Sequence, residues 1–311
     1  MTIYHDLGEF HTSYSSLSIG CWRKFEFQKI YPSAPRGKGN LSGDVGKALH
    51  IGYQDYKVHG DVDQAIAKMM IAYPIELNDD PMNYRSLEAC YATLQAMINS
   101  DFMDEYEIVM INCLDGVQRP AVEVPFKIKL KDVYLDEACK YQICYIGYID
   151  FILFQLMKEQ YCTVDLKTTR DKRYDPSIRY QFSDQVMPYE LVLQHMLGRK
   201  IADMENKYMH VFVDILEPTV SMYNFPQSGD MLEDWVSGLI ANIKQIQQFY
   251  KMDWWPRNGN NCSAFYGKCT HFDYCTSRDK QTIMNYRGQL DDEAPLKPFL
   301  PWIEFELDMS L

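Results

Sequence analysis

No stretch of the 311-residue sequence approaches the roughly 18 uninterrupted apolar residues that a membrane-spanning helix needs. The longest candidate, Ile146–Met157, is broken by Asp150. The first ten residues, MTIYHDLGEF, hold two acids and no basic, apolar leader, so the expectation is a reducing, cytoplasmic setting without a secretory signal. That expectation includes a phage-encoded protein acting in the bacterial cytoplasm. Positive charge is in deficit, with 31 Lys and Arg against 43 Asp and Glu for a net charge of −12. That excludes a surface that sticks to nucleic acid everywhere and leaves room for a local basic groove. Internal repeats, low-complexity tracts and C-x-x-C pairs are also missing.

What is there is an ordinary globular composition, 47% hydrophobic and 24% charged, which excludes disordered, collagen-like and disulfide-miniprotein classes. The length suits one large domain or two small ones. With no linker in view, a single domain over 1–311 is expected: a helical region at 44–105, a sheet core at 106–225, and a helix plus cysteine-bearing tail at 226–311. A short helix is expected within Ser13–Tyr31, followed by a Pro/Gly/Ser-rich loop over Pro32–Gly43. Asp44 is expected to cap a helix running through His50 to about Tyr56. Helical patterns cover Asp63–Tyr73 and Tyr84–Asn99, around a turn signal at Asn78–Pro81.

The period then shortens. Tyr106–Ile111, Arg119–Leu130, Tyr141–Gln155 and Gln160–Lys167 read as strands of a consecutive meander. A helix over Gln185–Arg199 and strands near Tyr208–Leu216 and Val220–Phe225 follow. Leu232, Trp235, Val236, Leu239, Ile240, Ile243, Ile246 and Phe249 recur at three and four spacing, the stripe of a helix packed on a core. From Pro256 the tail is aperiodic and rich in Gly, Asn, Cys and Pro, so something other than a hydrophobic core must hold it.

The chemistry concentrates in GYIDFILFQLMKEQYCTVDLKTT, where Asp150 and Asp165 sit in apolar, strand-like runs. An unpaired charge in such a setting is costly and marks a site. Lys167 lies two residues beyond Asp165 and projects from the same strand face. If the Asp150 strand pairs alongside, two carboxylates and an ammonium converge, a set that binds a hard divalent cation and hydrolyses a phosphodiester. A lone D-x-K is more often a solvated strand. Three other features fall at suitable places. His50 ends GKALH one helical turn after Gly46, whose missing side chain leaves room beside the imidazole. Glu123 lies in AVEVPF, between Val122 and Val124 facing the other way. Gln185 and Tyr189 in QVMPY stack at i and i+4 on a helix, placed to hold a nucleotide's backbone or base.

Nine cysteines, an odd number, point to thiols or metal ligands. Cys262, Cys269 and Cys275 crowd the aperiodic tail, one short of a closed site, and Cys21 in a polar-flanked N-terminal helix is the candidate for the fourth ligand. Cys90, Cys113, Cys139, Cys144 and Cys162 read as small buried hydrophobes or incidental thiols. Four thiolates suit tetrahedral zinc or a four-iron cluster. Just after Lys167, the segment KTTRDKRYDPSIRY gathers Arg170, Lys172, Arg173 and Arg179, a local basic concentration for phosphate contacts. Tyr174, Tyr180, Phe182 and Tyr189 are interleaved and can stack on unpaired bases.

GKALH, GYID, DLK and QVMPY, in that order, resemble the motifs of PD-(D/E)XK nucleases of the RecB type, including CRISPR-associated and AddB-like members with an iron-sulfur cluster. The motifs span Gly46–Tyr189. The resemblance implies a restriction-endonuclease-like α/β fold: a central mixed sheet flanked by helices, an N-terminal helical insertion and a cluster-stapled tail. It implies that His50, Asp150, Asp165 and the Leu166 carbonyl hold Mg2+ or Mn2+, that Lys167 is the catalytic lysine, and that Glu123 is a further acid. It also selects a 4Fe-4S cluster over Zn2+ at Cys21, Cys262, Cys269 and Cys275. Pro188 departs from the motif, so the helix is expected to start at Gln185 or to kink there. The implied activity is metal-dependent DNA cleavage, more exonucleolytic than site-specific, on single- or double-stranded DNA. Recombination, repair or CRISPR-adaptation proteins are the implied partners. A catalytically silent nucleic-acid-binding or assembly protein and a redox iron-sulfur protein are the rivals.

Overall fold

A computed structural model describes residues 3–4, 7–30, 41–75, 86–100, 102–169, 180, 183–198, 205–214, 216–226, 229–262, 268–269, 271–277, 282 and 299–308. Among these the chain order is β1 (Ile3–Tyr4), β2 (Glu9–Thr12), α1 (Tyr14–Leu17), α2 (Trp22–Phe25) and a π-helical turn, Glu26–Ile30. Three helices follow, α3 (Leu41–His59), α4 (Val62–Ala72) and α5 (Leu87–Ile98). The strands β3 (Tyr106–Ile108), β4 (Met110–Asn112), β5 (Gln118–Pro120), β6 (Val122–Tyr134), β7 (Gln142–Gln155) and β8 (Gln160–Thr169) come next. The remainder is α6 (Met187–Leu197), β9 (Glu205–Phe212), β10 (Thr219–Pro226), α7 (Gly229–Met252), α8 (Phe272–Thr276) and β11 (Ile303–Leu307). The fold is mixed α/β, a central sheet of parallel and antiparallel strands flanked by helices. Among the described residues, no helix is long and apolar enough to cross a membrane.

The chain divides into two compact units. One comprises Met1–Gly37, Pro125–Gly147 and Glu233–Leu311; the other comprises Lys38–Val124 and Tyr148–Leu232.

In the second unit, β7 and β8 are antiparallel, β8 and β9 parallel, and β9 and β10 antiparallel. The β8–β9 step is parallel because α6 lies in the chain between the two strands and makes the crossover. One core joins α3, α4 and α5 to this sheet, with Leu49, Tyr53, Met69, Leu94, Phe151, Val164, Leu166 and Met209 buried together. Helix α4 starts where its sequence offers a cap, Asp61, whose side chain accepts the Gln64 N–H, and Ser86 caps α5 through Ala89 N–H. Helix α3 begins three residues before Asp44, so that residue supplies first-turn negative charge instead of the expected cap. The Asn78–Pro81 turn lies outside the described residues, as does most of the Pro32–Gly43 loop.

In the first unit, β2 runs parallel to β7 and β11 parallel to β6. The expected stripe on α7 is the buried one: Trp235, Val236, Leu239, Ile243 and Ile246 face inward, with Trp235 edge-on to Tyr145 at 5.4 Å. A buried ionic network crosses the strands. Lys127 lies 3.0 Å from Glu9 and 2.7 Å from Glu304, while His11 Nε2 lies 2.6 Å from Glu9. Each buried charge is thereby paired, which is the condition for holding ions in an apolar sheet.

Candidate active site

The two aspartates meet where a ladder ends. The antiparallel pairing of β7 with β8 stops at Phe151 and Val164, and one step further in the same register stand Asp150 and Asp165. They are 9% and 1% exposed. Like charges directly opposed repel, so this pair needs a compensating cation. The Leu166 backbone N–H donates to Asp150 Oδ2 at 2.7 Å. Lys167, on the same face of β8 as Asp165, brings Nζ to 2.6 Å from Asp165 Oδ2. An ammonium this close to a buried carboxylate oxygen is a charge-assisted pair.

Helix α3 delivers His50, whose Nδ1 is 3.7 Å from Asp150 Oδ2. The glycine one turn earlier serves the helix and not the imidazole, in contrast to the sequence expectation. A Cβ on Gly46 would lie 2.7 Å from Thr168 Oγ1 of β8, so its absence sets how closely α3 approaches the strand that carries Asp165. Burial is the main cause that pushes the His50 pKa down to about 4, with Lys167 adding to it; the Asp165 charge and the Leu166 carbonyl act in the opposite sense. The imidazole is therefore neutral at pH 7, the form that ligates a metal. Burial also raises the Asp150 pKa well above its ordinary value, helped by the Asp165 and Glu123 charges and opposed by Lys167 and the Leu166 N–H.

Glu123 reaches the same place by a route that alternation did not foresee. Its backbone is left-handed, with φ +50°, a strained setting for a residue other than glycine. The kink at the start of β6 lets its carboxylate lie with His50 and Asp150, and their ligand atoms all fall within 4.8 Å of one another. Gln54, one turn after His50 on α3, donates from Nε2 to Glu123 Oε1 at 2.8 Å. Nothing in the sequence marked Gln54 beyond its i+4 spacing from His50.

Gln185 and Tyr189 also converge here, on the aspartate. Gln185 Nε2 donates to Asp165 Oδ1 at 2.9 Å. The Tyr189 hydroxyl donates to the Tyr148 carbonyl at 3.0 Å and lies 3.4 Å from Asp165 Oδ1. Tyr189 is 2% exposed, so its ring is no open platform for a base, a correction to the sequence expectation. Burial raises its pKa, and the Asp165 and Asp150 charges add to that. Pro188 falls in the first turn of α6, which starts at Met187, just after Gln185; proline is tolerated there because its N–H is not needed. Tyr180 stacks on Tyr208 at 4.2 Å, which occupies one of its faces. Arg170, Lys172, Arg173, Arg179, Tyr174 and Phe182 lie outside the described residues.

These groups fit a divalent cation: a neutral imidazole nitrogen of His50 and carboxylate oxygens of Glu123 and Asp150 within 4.8 Å of one another, with the Asp165 charge close enough to raise the Asp150 pKa.

In the other unit, Cys21, Cys262, Cys269 and Cys275 line one pocket together with Arg23, Lys24, Phe27 and His271. All four thiols are free and partly exposed. Cys90, Cys113, Cys144 and Cys162 are buried, whereas Cys139 is exposed. Cys21 is brought to the tail by backbone contacts: Asn258 Nδ2 donates to the Gly20 carbonyl at 2.8 Å, and the Arg23 N–H to the Pro256 carbonyl at 3.0 Å. Gly20 has φ +70°, and a Cβ there would meet Asn261 Nδ2 at 2.6 Å. Only glycine permits this approach.

No family model matches the chain. No curated protein matches it either. Among solved structures it is similar to a protein from Eubacterium rectale named "Putative exonuclease", with TM-score 0.49 and 12% identity over 89% of this chain and 92% of that one. It is also similar to SSO0001, with TM-score 0.33 and 12% identity over 86% and 87%. Likenesses this remote do not bear on function, which rests on the residues above.

Proposed function

We propose that the protein is a divalent-metal-dependent nuclease of the restriction-endonuclease-like, RecB type, which hydrolyses DNA phosphodiesters and acts from an end. The observation that supports it most is the convergence of His50, Glu123, Asp150, Asp165 and Lys167 from separate stretches of chain on one buried, electrostatically frustrated point. His50, Asp150, Asp165 and the Leu166 carbonyl would hold Mg2+ or Mn2+, and Glu123 would reach it directly or through water. A bound cation supplies Lewis acidity toward the phosphate and the attacking water. Lys167 offsets charge on the non-bridging oxygens as the pentavalent centre forms. Asp165 keeps that ammonium in place, and Gln185 and Tyr189 keep Asp165 in place. Tyr189 also fixes the β7 backbone at Tyr148.

The four cysteines hold a 4Fe-4S cluster as a structural staple. A pocket with four thiols and the cations of Arg23 and Lys24 at its wall suits a cluster of net negative charge.

The test is a panel of end-labelled single- and double-stranded DNAs with Mn2+ or Mg2+, comparing wild type with Asp165→Ala. Stepwise shortening by the wild type and none by the variant is expected. Equal cleavage by both assigns the activity elsewhere, and no cleavage by either favours a silent DNA-binding protein.

A further inference from the structure

Glu123 stands where two forces oppose it. Its backbone is held at φ +50°, a conformation that persists in a residue other than glycine only where its neighbours enforce it. Its carboxylate comes within 4.8 Å of the Asp150 carboxylate, a like charge that repels it, although Glu123 belongs to the exposed residues and could turn to water. Among the described residues, the group that holds it inward is Gln54, whose Nε2 donates to Glu123 Oε1 at 2.8 Å. Gln54 is itself only 6% exposed, so packing and not solvent sets its amide. It follows His50 by four positions on α3, and the two side chains leave one face of that helix. The close seating of α3 on β8 that Gly46 permits therefore places both at once. An amide is also the fitting donor here: it carries no charge, so it secures a carboxylate without competing with a cation for it.

Resting on the metal-dependent reading above, we infer that Gln54 is a positioning residue of the metal site, holding the Glu123 carboxylate toward His50 and Asp150 before a divalent cation arrives. Partners of this kind, one bond removed from the ion, fix the orientation of its ligands. Binding energy that would otherwise go into ordering a long side chain against its neighbour's charge is then left for affinity. Helix α3 thus serves the site twice, with a nitrogen donor from His50 and, through Gln54, with the orientation of an oxygen donor on β6.

The inference is tested by titrating Mn2+ alone, without DNA, into wild type, Gln54→Met, Glu123→Ala and the double variant, with isothermal titration calorimetry as the readout. Methionine keeps the length of the side chain and removes the donor. Gln54→Met is expected to weaken Mn2+ binding about 10- to 100-fold with little change in melting temperature. Gln54→Ala, which removes the donor without adding bulk, should give the same loss. Glu123→Ala should lose at least as much, and the double variant no more than Glu123→Ala, because Gln54 acts only through that carboxylate. Unchanged Mn2+ affinity in Gln54→Met, or losses that multiply in the double variant, overturns the inference. A wild type that binds no Mn2+ sinks the metal reading together with it. A wild type that binds Mn2+ and cuts no DNA sinks the nuclease reading alone, and the same titrations still decide the role of Gln54.

Discussion

Asp150→Asn is expected to silence cleavage by about 10^3-fold or more and yet to raise the melting temperature of the metal-free protein by about 2–4 °C. The two effects have one cause. Asp150 and Asp165 oppose each other in a buried ladder end, and burial together with the Asp165 and Glu123 charges raises the Asp150 pKa. Without a cation the folded state carries that repulsion, and an amide removes it while its carbonyl still accepts the Leu166 N–H that Asp150 Oδ2 accepts now. Lys167→Met should be equally inactive with the opposite thermal sign. It takes the ammonium from Asp165 Oδ2, which leaves a buried carboxylate group uncompensated at a cost of about 3–5 kcal/mol. Differential scanning calorimetry with chelator reads both shifts. A lower melting temperature for Asp150→Asn, or an unchanged one for Lys167→Met, contradicts a charge-frustrated site.

Cys262→Ser is expected to give the largest loss of stability. Cys21 and Cys262 stand 241 positions apart in sequence, and a cross-link of that span removes chain entropy from the unfolded state worth about 5 kcal/mol. For a protein of this size the loss corresponds to a fall of about 8 °C in melting temperature. The variant should also be colourless where the wild type, prepared without oxygen, absorbs in the visible with iron and sulfide in equal amounts. The contacts that tie Gly20 to Asn258 and Arg23 to Pro256, and the stacking of Phe25 on Trp255 at 5.5 Å, are separate from the thiols. The unit therefore loosens instead of losing its fold. Cys139→Ser is the control: that thiol is exposed, and its loss should change neither colour nor melting. A colourless wild type with one zinc per chain contradicts the cluster.

The sequence is most legible where side-chain periodicity and local spacing carry the information. The α7 stripe and the α4 helix are legible because burial on one face imposes the period directly, and the D-x-K and G-x-x-D strands because burial on both faces leaves short apolar, β-branched runs. The convergence of Asp150, Asp165 and Lys167 followed from strand geometry once adjacent pairing was assumed. Strands β2 and β11 were not legible, since each is short and pairs in parallel with a distant segment, β7 and β6 respectively. Parallel neighbours leave no hairpin turn to announce them. The way Glu123 comes to lie beside His50 and Asp150 is not legible, because its left-handed backbone carries no mark in the residue type.

The central claim is that His50, Glu123, Asp150 and Asp165 share one divalent ion. Mn2+ titration followed by electron paramagnetic resonance tests it most directly, on wild type and Asp150→Asn without DNA. The account predicts one tight site per chain in the wild type and a large loss of affinity in the variant. Equal Mn2+ binding by the two proteins would contradict it.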